Sequence, residues 1–472
     1  MRQPNFPSAG FGIDVRAAGI KLGRMAWKQM TRLLWATGAV WMAALPASAA
    51  GPTVVQTLDL GRAPSWFPVG FCLLTVSNRQ YAAYYDEQHR LTVASRRLEQ
   101  TNWNYQVLPA KVGWDSHNYI TMAADDDGWL HLAGNMHVNP LVYFRTRRPW
   151  DIATFQRVTN MVGRQEDRCT YPKFQRGPKG ELIFHYRHGS SGNGSEIFNV
   201  WDRAAGVWRR FLDEPLTDGA GRRNAYFHGP LSGPDGLFHL AWVWRDSPDC
   251  ASNHDLCYAR SRDLNRWETA AGAPLKLPLR LETPGVVVDP VPMKGGLLNG
   301  SQHLGFDSQK RVVLTYHKHD ENGLTQAYAA RFANGRWTPV RLTQWDYRWD
   351  FSGGGTISRE IGLGPVKPGA PGTLEMAWSH IKFGAGRLVL SEQDLTPLGQ
   401  LPPERTWPAS HSRPETNFPG LRVQWARDLG ASGEPGVFYA LRWETLPPNR
   451  DRPRPEPLPP PSPLRLLKIR AP

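Results

Sequence analysis

Cysteine is scarce: Cys72, Cys169, Cys250 and Cys257 are the only four in 472 residues. That number allows one or two disulfides and excludes a disulfide-dense scaffold. Long apolar runs are also lacking. The run "LLWATGAVWMAALP" at 33–46 is shorter than the ~20 residues a membrane span needs, which argues against a membrane anchor. Acidic side chains are in deficit, 42 Asp and Glu against 56 Lys and Arg, giving a net charge of +14.

The short apolar run is preceded by Lys21, Arg24, Lys28 and Arg32 and followed by "ASA" at 47–49, a small-residue cleavage pattern. Residues 1–50 therefore read as a secretory signal peptide, and the mature chain is expected to be secreted or periplasmic. Without residues 1–49 the balance is 50 basic against 41 acidic, near +9. Outside the cell, a basic protein suits an acidic polysaccharide better than nucleic acid. A generally basic surface would give the same count. A monomer acting on polysaccharide, with neither nucleic acid nor membrane as partner, is the expectation. In an oxidising compartment the cysteines could pair. Alternatively, "CASNHDLC" could offer Cys250, His254 and Cys257 to a structural metal ion, zinc or calcium, with Cys169 as a distant fourth ligand. Disulfide, free thiols and metal all stay open, and no cofactor is required for the chemistry argued below.

What is abundant is aromatic, glycine and proline: 11% aromatics, 45 Gly and 41 Pro suit many short strands and turns. A turn followed by an alternating strand recurs seven times: "NRQYAAYYD" at 78, "DGWLHLAGN" at 127, "KGELIFHYR" at 179, "DGLFHLAWVWR" at 235, "QKRVVLTYHKH" at 309, "PGTLEMAWSH" at 371 and "PGVFYALRWE" at 435. Some units carry a second turn closing on Trp, as in "AAGVW" at 204, "SRDLNRW" at 261 and "NGRW" at 334. Each unit is long enough for four strands. The expected fold is all-β, a single seven-bladed β-propeller over 51–472, with the Pro-rich segment 446–472 packed on it as an extended strap. "SRDLNRW" resembles an Asp-box, with its Ser, Asp and Trp in a structural role.

The stretch "SHNYITMAADDDGWLHLAGNMH" at 116–137 carries the candidate chemistry. Asp126-Asp127-Gly128 reads as a three-residue hairpin loop. Folding about Asp127 sets His117 opposite His137. If each repeat begins with its innermost strand, the starts of first strands and the ends of second strands share one mouth. That mouth collects His117, Asn118, Tyr119, Asn135 and His137 from one blade, and Tyr171, Tyr186, Arg187 and His188 from the next. Tyr226, His228, Trp244 and Arg245 come from a third, and Asn299, His303, His317 and His319 from a fourth. Folding about Lys179 similarly sets Tyr171 opposite Arg187.

His, Tyr and Arg without a matched pair of acids suit proton abstraction beside a carboxylate. In uronate β-elimination a cation neutralises the sugar carboxylate and acidifies the C5 proton; a base removes it and an acid protonates the departing O4. His117, His137 and Tyr186 are the candidates for base and acid, and Arg187 for the neutraliser. Asn118, His188, Tyr226, Trp244 and Arg245 are candidate substrate-binding residues, with Tyr226 and Trp244 able to stack on sugar rings. For Trp244 the plain alternative is blade packing.

The blocks "SHNYITMAADDDGWLHLAGNMHVNPLVYFRT", "TYPKFQRGPKGELIFHYRHGSSGNG", "NHDLCYARSRDLNRWET" and "SQHLGFDSQKRVVLTYHKHD" together resemble the BNR-repeat (Asp-box) propeller family that includes ulvan-lyase-like polysaccharide lyases, over roughly residues 60–450. The resemblance implies a propeller that cleaves uronate-containing polysaccharide by elimination, using two histidines about twenty residues apart, a tyrosine and an arginine. His117 and His137 match the spacing, and Tyr186 is the expected tyrosine. Arg187 is adjacent to the match, with Arg203 and Arg245 as alternatives. A non-catalytic glycan-binding propeller, or a hydrolase of the sialidase or arabinanase kind, is the competing reading; the hydrolase needs a carboxylate pair or an arginine trio at the mouth.

Overall fold

Strands dominate because the chain alternates apolar and polar residues in short runs broken by Gly, Asn and Asp turns. The structure, a computed structural model, describes residues 51–472; the expected signal peptide lies outside the described residues. These fold as seven antiparallel sheets, the shortest of four strands, joined in chain order. The all-β expectation holds. Each of the seven sequence repeats forms the second strand of its own sheet, from Arg79–Tyr85 through Leu130–Gly134 and Leu182–Ser190 to Val437–Thr445.

Five sheets begin with a strand at one edge, Cys72–Val76, Ile120–Ala124, Asn224–Ser232, His303–Phe306 and Ile361–Pro368, and in a sixth the corresponding strand Cys169–Arg176 is flanked on its outer side by the short strand His137–Asn139. The seventh joins the two ends of the described chain. Ser462–Arg470 is hydrogen-bonded on one side to Thr53–Ala63 and on the other to Val437–Thr445. First strands of successive sheets lie against one another, Cys72–Val76 against both Ile120–Ala124 and Arg422–Arg427, and His303–Phe306 against both Asn224–Ser232 and Ile361–Pro368. The Pro-rich segment is held from the start of the first sheet: Ser65 Oγ donates to the Pro460 carbonyl at 2.7 Å and Trp66 Nε1 to that of Pro459 at 3.1 Å.

Two hairpins position the candidate site. The first has the expected register, running from Ile120 opposite Gly134 to Ala124 opposite Leu130. Its turn is fixed by Asp125, whose Oδ1 accepts from the Asp127 and Trp129 amides at 3.0 and 2.9 Å. Gly128 has φ +83°, and a Cβ there would stand 2.2 Å from the Trp150 ring, so only glycine fits. The second hairpin keeps its expected register from Arg176 opposite Leu182 to Lys173 opposite His185, then slips, so that Thr170 rather than Tyr171 faces Arg187. The slip is a β-bulge at Tyr171-Pro172, with Tyr171 at φ 57°. Bulges re-aim side chains.

"SRDLNRW" closes on itself: Ser261 Oγ donates to the Arg266 carbonyl at 2.6 Å, Asp263 accepts from the Arg266 amide at 2.7 Å, and Trp267 is buried. All four cysteines are buried and unpaired, so no Cys250–Cys257 disulfide forms. Cys169, Cys250 and Cys257 belong to three separate apolar clusters, and the two ring nitrogens of His254 are already held by Asp246 at 3.0 Å and Asp255 at 2.9 Å. These residues do not fit a shared zinc ion.

Candidate active site

His117 and His137 meet, but not as a continuation of the hairpin. Past Gly134 the chain turns through Asn135 at φ 59°, Met136 is buried, and His137 leaves to pair with Thr170 in the next sheet. Val138, a β-branched residue at φ 63°, is strained in that region, and its amide is secured by Thr170 Oγ1 at 2.8 Å. On the other side His117 sits in the turn that opens at Asp115. The two imidazoles are stacked, with centroids 4.0 Å apart and planes 22° from parallel.

Asp115 is the residue that joins them. Its Oδ1 lies 2.6 Å from His117 Nδ1, and its Oδ2 is hydrogen-bonded to His137 Nδ1. Burial works against the charge on Asp115, but the two histidine hydrogen bonds outweigh it and hold the carboxyl well below the usual carboxylate range. An ionised Asp115 only accepts, so each imidazole donates to it from Nδ1, which in the neutral ring leaves Nε2 as the acceptor. Asp451, at the start of the Pro-rich segment, lies 3.4 Å from His117 Nδ1. It also accepts from the Ser116 and Thr356 amides at 3.1 and 2.7 Å, tying the tail to this turn.

Both histidines line a cavity of about 510 Å³. Tyr171 faces them, its ring 5.8 Å from that of His117, and Tyr226 crosses Tyr171 edge-on at 6.0 Å. Behind the two tyrosines lies Arg187, fully buried, its guanidinium 4.9 Å from the Tyr171 centroid and 5.9 Å from that of Tyr226. Burial pushes the Tyr171 phenol up, and the neighbouring Tyr226 adds to this, while Arg187 and Arg245 favour the phenolate. Arg245 and Arg359 also line the cavity. Arg245 donates to the Ser247 carbonyl at 3.0 Å and Arg359 to Ser301 Oγ at 2.8 Å. Among the described residues neither is paired with a carboxylate, and no Asp or Glu lines the cavity.

The structure therefore brings together His117, His137, Tyr226 and Arg245 of the candidate residues, with Tyr119, Tyr171 and Asn299 of the expected mouth, and sets the other candidates elsewhere. Tyr186 is fully buried against Phe184, in the apolar cluster and away from the cavity. The reason is strand alternation: Arg187 faces the tyrosines, so its neighbour faces the other way. Trp244 is fully buried beside Trp242, a packing role. His188 reaches Asp167 at 3.0 Å outside the cavity. Asn118 is buried, its carbonyl accepting from Tyr85 OH at 2.6 Å. His303, His317 and His319 do not line the cavity either, and Arg203 is paired with Asp127 at the far turn of the first hairpin. Sequence reading missed Asp115, although its place two residues before His117 was a signal. It also missed Arg359 and Asp451, which have no local signal.

The model of the BNR repeat-containing family matches residues 79–345. The chain belongs to this family. The chain is 28% identical over 137 residues to the short isoform of an ulvan lyase from Alteromonas sp. (strain LOR). That alignment spans 25% of each chain, so the protein covers about a quarter of the relative's length. Among solved structures, the fold is similar to the polysaccharide lyase Uly1, with a TM-score of 0.59 at 13% identity over 89% of this chain and 99% of that one. It is also similar to a PL25 ulvan lyase bound to -[GlcA(1-4)Rha3S]-, with a TM-score of 0.54 at 12% identity over 82% and 93%. At such identities the likeness is one of fold.

Proposed function

We propose that the protein is a secreted or periplasmic polysaccharide lyase that cleaves a uronate-containing polymer by β-elimination. The observation that carries this is the cavity's chemistry: two stacked histidines on one carboxylate face a tyrosine, two arginines lack acidic partners, and no carboxylate lines the wall. Most glycosidases need two carboxyl groups across the scissile bond, and no carboxyl group of the described residues lines this cavity; elimination needs a base, an acid and a cation for the sugar carboxylate. In this reading Arg245 or Arg359 neutralises the carboxylate. An imidazole Nε2 takes the C5 proton, the electron pair forms the C4–C5 double bond, the C4–O4 bond breaks and the Tyr171 hydroxyl protonates O4. Arg187 acts behind Tyr171 by favouring the phenolate left after proton transfer. Tyr226 supports the sugar.

The likeness to ulvan lyases supports a glucuronate–rhamnose polymer as the substrate class. The seven sheets, with first strands adjacent and the chain's two ends sharing one sheet, support a closed seven-bladed propeller, and we propose a monomer. The test is to incubate the protein with ulvan, gum arabic and glucuronan and to follow the ultraviolet absorbance of unsaturated uronate. Release from at least one is expected; binding to all without any release would favour the glycan-binding alternative.

A further inference from the structure

Asp115, His117 and His137 present one ligand atom each, all within 4.8 Å of one another; the two histidines line the open cavity and Asp115 joins them from behind. A fourth donor, Asp451 Oδ2, is 3.4 Å from His117 Nδ1. Zinc takes nitrogen at about 2.0–2.1 Å and carboxylate oxygen at about 2.0–2.2 Å, so two donors on one ion stand roughly 3 to 3.5 Å apart. Asp115 Oδ1 and His117 Nδ1, at 2.6 Å, would open by roughly 0.4 to 0.9 Å to reach that spacing, and the shorter Asp115–His137 hydrogen bond by somewhat more. Two imidazoles with carboxylates favour borderline transition ions over calcium or magnesium, which prefer all-oxygen shells. Asn135 and Val138, flanking His137, have positive φ, and the turn carrying His117 is closed by the Asn118 amide on the Asp115 carbonyl, which fixes the spacing of the ligands.

We propose that this histidine pair is an inhibitory binding site for a divalent transition ion such as Zn²⁺, Co²⁺ or Cu²⁺. The inference rests on the lyase reading for its inhibitory consequence, but binding itself does not. The metal takes the Nδ1 lone pair of each imidazole, and the proton formerly on Nδ1 moves through solvent to Nε2. Each ring stays neutral, yet Nε2 becomes a donor and can no longer accept the C5 proton. Inhibition follows from the change of tautomer even where the ion leaves room for the sugar.

The experiment is a titration of the full chain with CoCl₂ followed by visible d–d absorption, and with ZnCl₂ followed by calorimetry, in the parent and in the His137→Ala and Asp115→Asn variants. Circular dichroism verifies that each is folded. One equivalent binding tightly in the parent and lost in both variants is expected, with CaCl₂ giving no such signal. Lyase activity should fall at least roughly 10²-fold at saturation, the scale of losing a general base, and return with EDTA. Saturable binding that survives in both variants, or none in the parent, overturns the proposal. Binding as described by a protein that releases no unsaturated uronate from any polymer would instead sink the lyase reading and leave the metal site standing.

Discussion

Asp115 makes His117 and His137 a single unit, because one carboxylate orients both rings. Replacing either histidine by Ala should slow release of unsaturated uronate by more than ~10²-fold, and the double replacement should cost far less than the product of the two, as for groups acting together. A folded double variant with near-parent release would show the pair to be structural. The tyrosines give a sharper comparison. Tyr171→Phe should abolish most turnover, while Tyr186→Phe, its ring packed on Phe184, should retain it; the reverse order would restore Tyr186 to the site. Two other histidines report on stability. His228 and His303 meet edge to face at 5.1 Å. Burial, with Lys173 beside His228 and with His228 and Arg359 beside His303, lowers both to about 4. Between their unfolded value of ~6.5 and about 4 the unfolded chain holds more protons, so their contribution is complete above that window and is lost as pH falls through it. Urea midpoints measured from pH 7 to 4 should drop, and His303→Gln should flatten the fall.

Strands deliver these residues by departing from ideal pairing. In the first hairpin the register is regular up to Gly134, where a Cβ would stand 2.8 Å from the Tyr119 carbonyl and 3.0 Å from Ile120 Cα. Gly134→Ala should therefore destabilise by about 1–3 kcal/mol, the range for overpacking, and should shift the Tyr119 turn; an unchanged denaturation midpoint would mean that the two strands part freely. In the second hairpin the bulge at Tyr171-Pro172 turns the tyrosine into the cavity and leaves Thr170 to pair. Positive φ at Asn135, Val138 and Tyr171 collects local strain around one cavity, where surrounding hydrogen bonds hold it.

At the scale of the whole molecule the two ends of the described chain depend on each other. Ser462–Arg470 lies between Thr53–Ala63 and Val437–Thr445 and buries Leu464, Leu466, Leu467 and Ile469. Removing residues 462–472 strips the first strand of its partner and leaves an open edge. The truncated protein should lose cooperative unfolding or aggregate; a soluble product with the parent's melting curve would show that the terminal strand is dispensable. The same tail brings Asp451 to Ser116 and Thr356, so the truncation should also loosen His117.

The seven repeats and the first hairpin's register were legible in the sequence, because strand alternation and turn chemistry are local; His117 and His137 do meet as expected, but by a route the hairpin does not supply, since pairing ends at Gly134, His137 crosses to the next sheet and Asp115 joins the rings. What only the tertiary structure decided was which side chains reach the cavity. One bulge turns Tyr171 into the cavity, and strand alternation turns Tyr186 away from it, Trp244 into the packing and Arg187 behind the tyrosines. Arg359 and Asp451 arrive from segments far along the chain. No local pattern encodes a bulge's position or a contact across more than three hundred residues, since both are set by how the sheets pack together.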